Sequence, residues 1–167
     1  MDQTRIVIDT IKRRRAVRHY RPDPVAREVI EEIVDCGRLA PSARNDQPWD
    51  FVVVTDRATR EAIAAAATYG RFIADAPVCV LAFARRTPRS VEDTCAAVEN
   101  MLIAATAHGL STCWVAGENA SYARQIGQIV GAPESVRLVA MFPMGYSDDK
   151  PLPNKRSLDE VLHWEKY

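Results

Sequence analysis

Between Val91 and His108 the polar residues keep to one narrow stripe. Glu92 and Asp93, Glu99 and Asn100, and Thr106 recur at helical spacing, and the remaining positions from Cys95 to Ala107 are apolar. At about 1.5 Å per residue such a helix spans roughly 27 Å, a domain diameter. Ser90 with Asp93 three residues on reads as a capping box, and Gly109 as the stop after the last turn. A helix apolar over so wide a face is buried on most sides. Ala96, Ala97, Ala104 and Ala105 let another helix approach closely. Two readings follow: two subunits meet on this helix, or it is the central helix of one subunit covered by its own neighbours.

The rest of the chain is organised around it. Ile6, Val7 and Ile11 predict a first amphipathic helix over Thr4–Arg14, and Val29, Ile30, Ile33 and Val34 a second over Val25–Leu39. A polar loop, Ala40–Trp49, leads into a short buried strand at Phe51–Val54. Asp56 caps an alanine-rich helix, Arg57–Ala67, and Tyr69–Ala76 is irregular. Strands are expected at Val78–Ala84, Ser111–Val115 and Val136–Phe142, with a helix at Ser121–Val130. From Ser147 the chain turns polar and proline-rich, with a final turn at Leu158–Leu162. Helices alternating with buried strands predict α/β or α+β architecture around one sheet, and one domain over residues 1–167.

Composition narrows the function classes. Twenty-two basic and 22 acidic residues cancel, which argues against a general nucleic-acid or membrane-surface field. Cys36, Cys79, Cys95 and Cys113 lie far apart with no metal-ligand spacing. Reduced core thiols and a cytoplasmic location are the simplest expectation. The first residues carry no signal-peptide pattern. His19, His108 and His163 are isolated, so neither a metal site nor a catalytic triad is expected. No glycine fingerprint for a dinucleotide, P-loop or nucleophile elbow occurs. An enzyme of this composition leaves the chemistry to a cofactor and needs no catalytic side chain.

Four stretches remain. Arg13, Arg14, Arg15, Arg18 and Arg21 form a focused positive segment, suited to phosphate through forked hydrogen bonds or simply a solvated basic edge. Pro41–Trp49 offers small polar groups for a planar heteroaromatic, or is a loop anchored by Trp49. Ser111–Gly117 ends a strand in a glycine turn where a backbone N–H can reach a ligand, or is an ordinary strand exit. Pro153–Arg156 is a second basic site or a basic tail.

Taken together these stretches resemble the nitroreductase family of FMN-dependent oxidoreductases. The resemblance rests on R-R-x-x-R at Arg14–Arg18, P-S-x-x-N-x-Q-P-W at Pro41–Trp49, D-A-P at Asp75–Pro77, E-D-x-x-A-x-x-x-N at Glu92–Asn100. It continues in G-L-x-T-x-W at Gly109–Trp114 and G-Y at Gly145–Tyr146. It implies an α+β fold, a mixed sheet flanked by helices in three layers, in an intertwined homodimer with the long helix at the interface. It implies FMN between subunits, with Arg14, Arg15, Ala16 and Arg18 on phosphate, ribityl and pyrimidine. Pro41, Ser42, Ala43 and Asn45 would come from the other subunit. Trp114, Val115, Ala116 and Gly117 would lie along the isoalloxazine, with an N–H of Ala116 or Gly117 near N5, and Lys155 and Arg156 would close on phosphate. The implied activity is ping-pong hydride transfer from NAD(P)H through flavin N5 to a nitroaromatic, quinone or similar acceptor. The alternatives are dehalogenation, flavin fragmentation or other flavin or deazaflavin chemistry, and a flavin-binding module without turnover. The sequence departs from the family pattern at Ala16, where serine is common, at Tyr69 and Phe72, where larger relatives carry an amide and a lysine, and in the adjacency of Lys155 and Arg156.

Overall fold

Along Val78–Arg85 the side chains alternate between two cores. Val78, Val80 and Ala82 join one, and Cys79, Leu81 and Phe83 the other. A strand buried on both faces needs helices on both sides, and the computed structural model, which describes residues 2–167, has them. The helices are α1 (Gln3–Arg13), α2 (Arg27–Arg38), α3 (Arg57–Ala66), α4 (Ser90–Ala107) and α5 (Ala123–Ile129). The strands are β1 (Trp49–Val54), β2 (Val78–Arg85), β3 (Ser111–Thr112), β4 (Val115–Ala116) and β5 (Val136–Gly145). Single 3-10 turns lie at Ala43–Asn45, Arg71–Ala74 and Leu158–Glu160.

The sheet runs β1-β2-β5-β3, with β4 also on β5. Every named pair is antiparallel, and the parallel component is the bridge between Ala16 and Thr112. On one face α2 and α4 bury Ile30, Ile33, Val98, Met101, Leu102 and Ala105 against β2 and β5. On the other, α3 and α5 bring Ile63, Ala64 and Ile126. The result is the expected α+β sandwich of three layers. A bulge opposite Ala82 and Phe83 moves the β5 register by one residue, so Leu138 points to the α3/α5 side together with Met141.

The long helix has the expected C-terminus. Leu110 N–H donates to Ala105 O at 2.8 Å and Gly109 N–H to Thr106 O at 3.1 Å, with Gly109 at φ +74°. That is a Schellman motif, which needs the left-handed conformation glycine adopts without strain. Its N-terminus corrects the expectation. The cap is Arg89, with no side-chain hydrogen bond, and Ser90 lies inside the first turn, donating to Thr87 O. Asp93 is engaged elsewhere: its carboxylate accepts the N–H of Ala43.

Two apolar surfaces stay uncovered within the chain. Ile6, Val7, Ile8 and Ile11 of α1 are all exposed, so the stripe that predicted this helix does not reach its own core. On α4, Cys95, Ala96, Ile103 and Ala104 are only half-buried. Leu152, Leu158, Leu162 and Trp164 of the tail are exposed as well.

Candidate functional site

The expected strand Ser111–Val115 is two short strands in one continuous register: Thr112 faces Met144, and Val115 faces Met141. The cause of the gap lies in β5. Val139 turns its carbonyl to this edge, where Gly117 and Glu118 N–H both donate to it at 3.0 Å. Peptide groups alternate along a strand, so Pro143 turns the same way and has no N–H to give. The ladder lapses at Cys113 and Trp114.

The same alternation sets the chemistry of the outer edge. Val115 and Gly117 turn their N–H groups inward to β5, while Thr112, Trp114 and Ala116 turn theirs outward. Thr112 uses this edge to bind the segment after α1: its carbonyl accepts Val17 N–H at 2.9 Å beside the Ala16 bridge. Trp114 and Ala116 continue the edge with no strand beyond them among the described residues. Gly117 therefore cannot offer its N–H to a ligand, because Val139 holds it, and Ala116 is the donor of the two. The Ala116 carbonyl is fixed by the Tyr122 hydroxyl at 2.6 Å. Gly117 has its own reason to be glycine: a Cβ would lie 2.5 Å from Leu138 Cγ and 3.1 Å from its carbonyl oxygen. Gly117→Ala is expected to destabilise the fold by about 1–3 kcal/mol through overpacking, read as a lower urea midpoint at unchanged slope.

Bound to this edge, the arginine segment diverges. Arg14 is half-buried, with Nε 3.4 Å from Glu99 of α4. Arg18 lies over the Phe72 ring at 5.8 Å. Both are near enough to Cys113 to act on its thiol. Arg15 instead folds back onto the carbonyls of Lys12 and Arg14 and, with Arg13, lines a cavity of about 370 Å³ that the first residues of the tail enter. Arg21 pairs with Asp23 and Asp148, and His19 with Asp149 at 2.8 Å. Of the five arginines, Arg14 and Arg18 stay near Cys113.

The remaining motif residues are elsewhere in the chain. Pro41, Ser42, Ala43 and Asn45 lie just before β1, at the opposite edge of the sheet from β3. Three strand spacings, roughly 14 Å, separate those edges. The loop is rigidly made: Arg44, Asn45 and Gln47 all take positive φ, Ser42 Oγ accepts Gln47 N–H, and Arg85 donates to the carbonyls of Asp46 and Gln47. Lys155 and Arg156 are exposed and make no hydrogen bond or ion pair among the described residues. One chain thus brings Arg14, Ala16 and Arg18 to Thr112 and Cys113, at the start of the Ser111–Gly117 stretch, and leaves the tail cations without a partner among the described residues. Glu99, Phe72, Tyr122 and Asp93 complete the supports. Of these, Asp93 and Glu99 lie within the E-D-x-x-A-x-x-x-N stretch, Asp93 as an expected cap, Phe72 stands out in the sequence as a departure from the family pattern, and Tyr122 carries no sequence signal.

Thiol chemistry is not available here. All four cysteines are free. Burial pushes the Cys79 thiol up to about 12, a rise that Arg60 opposes. Burial also raises Cys113, against the pull of Arg18 and Arg14. Neither is a thiolate at neutral pH, so neither is a ready nucleophile. No cluster of metal-ligating side chains occurs among the described residues, and no described helix is long and apolar enough to cross a membrane.

A model of the Nitroreductase family matches residues 11–70 and 65–146 of the chain. The chain belongs to the nitroreductase family. A Methanothermobacter thermautotrophicus protein, provisionally named NADH dehydrogenase/NAD(P)H nitroreductase, is 30% identical over 96% of this chain and 87% of its own. An iodotyrosine deiodinase of Thermotoga neapolitana is 26% identical over 95% and 96%. Among solved structures, a Bacteroides thetaiotaomicron protein of the same provisional name superposes with a TM-score of 0.91 at 29% identity, over 96% of this chain and 98% of that one. A Desulfovibrio desulfuricans nitroreductase-like protein, solved in complex with FMN, gives 0.83 at 29% identity over 96% and 97%.

Proposed function

We propose that this nitroreductase-family chain is an FMN-dependent NAD(P)H oxidoreductase, working as a homodimer with FMN held between subunits. The observation that carries the reading is the outer edge of β3 and β4. It turns backbone N–H groups outward at Trp114 and Ala116, and the Ala16–Thr112 bridge holds the segment that brings two guanidinium groups, Arg14 and Arg18, near Cys113 on the same stretch. Open amide donors along an edge suit a planar heterocycle with polar rim atoms. Arginine forks suit its phosphate and electron-rich pyrimidine. Arg14 is ion-paired with Glu99 at 3.4 Å through Nε and keeps the rest of its fork for a ligand. The relative solved with FMN supports the same group.

A second copy supplies what one chain lacks here. The Pro41–Asn45 loop sits at the far sheet edge, and Lys155 and Arg156 extend into solvent, so both suit a partner's site better than their own. The uncovered apolar faces of α1 and α4 give the partner a surface to bury. Bound FMN supplies two-electron transfer between NAD(P)H and an organic acceptor such as a nitroaromatic or quinone. The chain's work is to bind and orient it: Arg14 and Arg18 hold charge, Ala116 N–H fixes one rim, and Trp114 covers part of the ring.

With no glycine fingerprint for a dinucleotide pyrophosphate, the nicotinamide must bind by stacking where the acceptor also binds. Turnover is then ping-pong. Double-reciprocal plots at several acceptor concentrations are expected to be parallel, and NAD(P)H alone to bleach the flavin absorbance without oxygen. Intersecting plots with no bleaching until acceptor is added would mean separate substrate sites. The deiodinase among the relatives keeps dehalogenation as the second reading. Iodide release from an iodinated phenol, with no turnover of nitroaromatics, would favour it.

A further inference from the structure

Four of the five arginines in the basic segment already have partners. Arg13 donates to Asp9 O, Arg14 pairs with Glu99, Arg15 donates to Lys12 O and Arg14 O, and Arg21 pairs with Asp23 and Asp148. Arg18 is exposed, and its side chain makes no hydrogen bond or ion pair among the described residues. It meets a ring instead: the guanidinium carbon stands 5.8 Å from the centroid of Phe72. An arginine within about 6 Å of an aromatic centroid is attracted by the ring's quadrupole, a contact that uses none of its N–H donors. The ring is itself held. Phe72 is half-buried against the α3/α5 core, on the 3-10 turn Arg71–Ala74. Ile73 N–H donates to Gly70 O at 2.9 Å, and Asp75 N–H to Phe72 O at 3.3 Å. The buried Arg60 of α3 ties down the end of the turn, donating from Nη1 to the carbonyls of Ala74 and Ala76. Before its start the chain lies against β4, where a Cβ on Gly70 would stand 3.5 Å from Val115 Cγ1.

We propose that Phe72 is a positioning residue, whose ring holds the Arg18 guanidinium at the β3–β4 stretch so that this cation stabilises reduced over oxidised FMN. The proposal rests on the FMN reading given above. Hydride from NAD(P)H adds two electrons and one proton to the flavin and leaves NAD(P)+, so the flavin ring gains one negative charge. A nearby cation favours the more negative form. Arg18 is suited to that work because no carboxylate neutralises it, whereas Glu99 offsets Arg14. Two contacts keep it at the stretch: it is close enough to Cys113 to act on that thiol, and Phe72 sits on the turn that follows the Gly70–Val115 contact. Without the ring, a long exposed side chain with no other partner spends its time in many rotamers, and its charge is spread over solvent.

The test is the midpoint potential of FMN bound to the full chain, measured at low ionic strength against a reference dye. Arg18→Gln, at an exposed position, should weaken reduced FMN relative to oxidised FMN by about tenfold, a drop of about 30 mV for a two-electron couple. Phe72→Leu and Phe72→Met keep apolar bulk without the ring, and each should lower the ratio by about threefold, or about 14 mV. Phe72→Tyr keeps the ring and should hold the wild-type potential. In the Arg18→Gln background, Phe72→Leu should have no further effect, because the ring acts through the arginine. An unchanged potential in Phe72→Leu and Phe72→Met, an equal drop in both backgrounds, or a Phe72→Tyr that falls with Leu would each overturn the role of Phe72. Failure of the FMN reading shows differently, as a wild-type chain that takes up no FMN, and the role of Phe72 falls with it. Failure of this proposal alone shows as bound FMN whose potential ignores the ring.

Discussion

Arg14→Ala is expected to raise the Kd for FMN by a factor of roughly 10 to 150, the equivalent of about 1.5–3 kcal/mol for a hydrogen bond to a charged group. The large effect follows from where the side chain sits. Arg14 is half-buried between α4 and the β3–β4 edge, so its charge is screened less than that of a surface arginine. Its removal also leaves Glu99 without its cation, a negative charge close to a ligand that itself carries phosphate. Arg14→Lys restores charge without the fork and should recover only part of the loss. Glu99→Gln separates the two contributions, since it removes the acid and keeps the arginine. Equilibrium dialysis or fluorescence titration of FMN into apoprotein checks all three variants. An unchanged FMN affinity in Arg14→Ala would take this residue out of the site.

Ala104→Glu is expected to convert a homodimer into monomers that no longer retain FMN. Ala104 is half-buried on α4, next in sequence to Ile103, which the chain also leaves incompletely covered. Obligate homodimers commonly bury about 2,000–5,000 Å² of largely apolar surface, and a carboxylate placed there without a partner costs several kcal/mol, on the order of the whole margin of a small domain. Flavin retention is expected to fall with dimerisation because the proposed site takes Pro41–Asn45 and the tail cations from the second copy. Sedimentation velocity gives the mass, and the visible spectrum of the same sample gives the flavin content. Circular dichroism distinguishes dissociation from unfolding. A wild-type monomer that carries FMN would show that one chain completes the site, and the division of motifs across the sheet would need another explanation.

The long helix was legible in the sequence at one end and misleading at the other. Glycine at position 109 has one strong local reason, a left-handed residue closing a helix, and the structure uses it so. Ser90 and Asp93 have a local partner in each other and a distant one each, Arg137 Nη2 and Ala43 N–H. The distant partners won, and no local spacing rule reports them. The arginine segment shows the same limit. Five arginines in nine residues mark a positive stretch, yet their directions separate only once Val17 docks on Thr112 and Glu99, Phe72, Asp23 and Asp148 are in place.

By itself the sequence determined which segments are helix and strand, that the strands are buried around one sheet, and where the motifs of the family stand. Those are consequences of local periodicity and turn chemistry, which neighbouring residues decide among themselves. Only the tertiary structure decided that the sheet is almost wholly antiparallel, that the bulge at Ala82/Phe83 brings Leu138 under Gly117, and that Pro143 breaks the ladder opposite Cys113. It also decided that Ala116 rather than Gly117 faces outward with its N–H, and that the loop before β1 leads into the sheet edge opposite β3. Each depends on which residue stands across from which. A shift of one position turns every peptide group and side chain to the other side, and that pairing is settled by contacts distant in sequence.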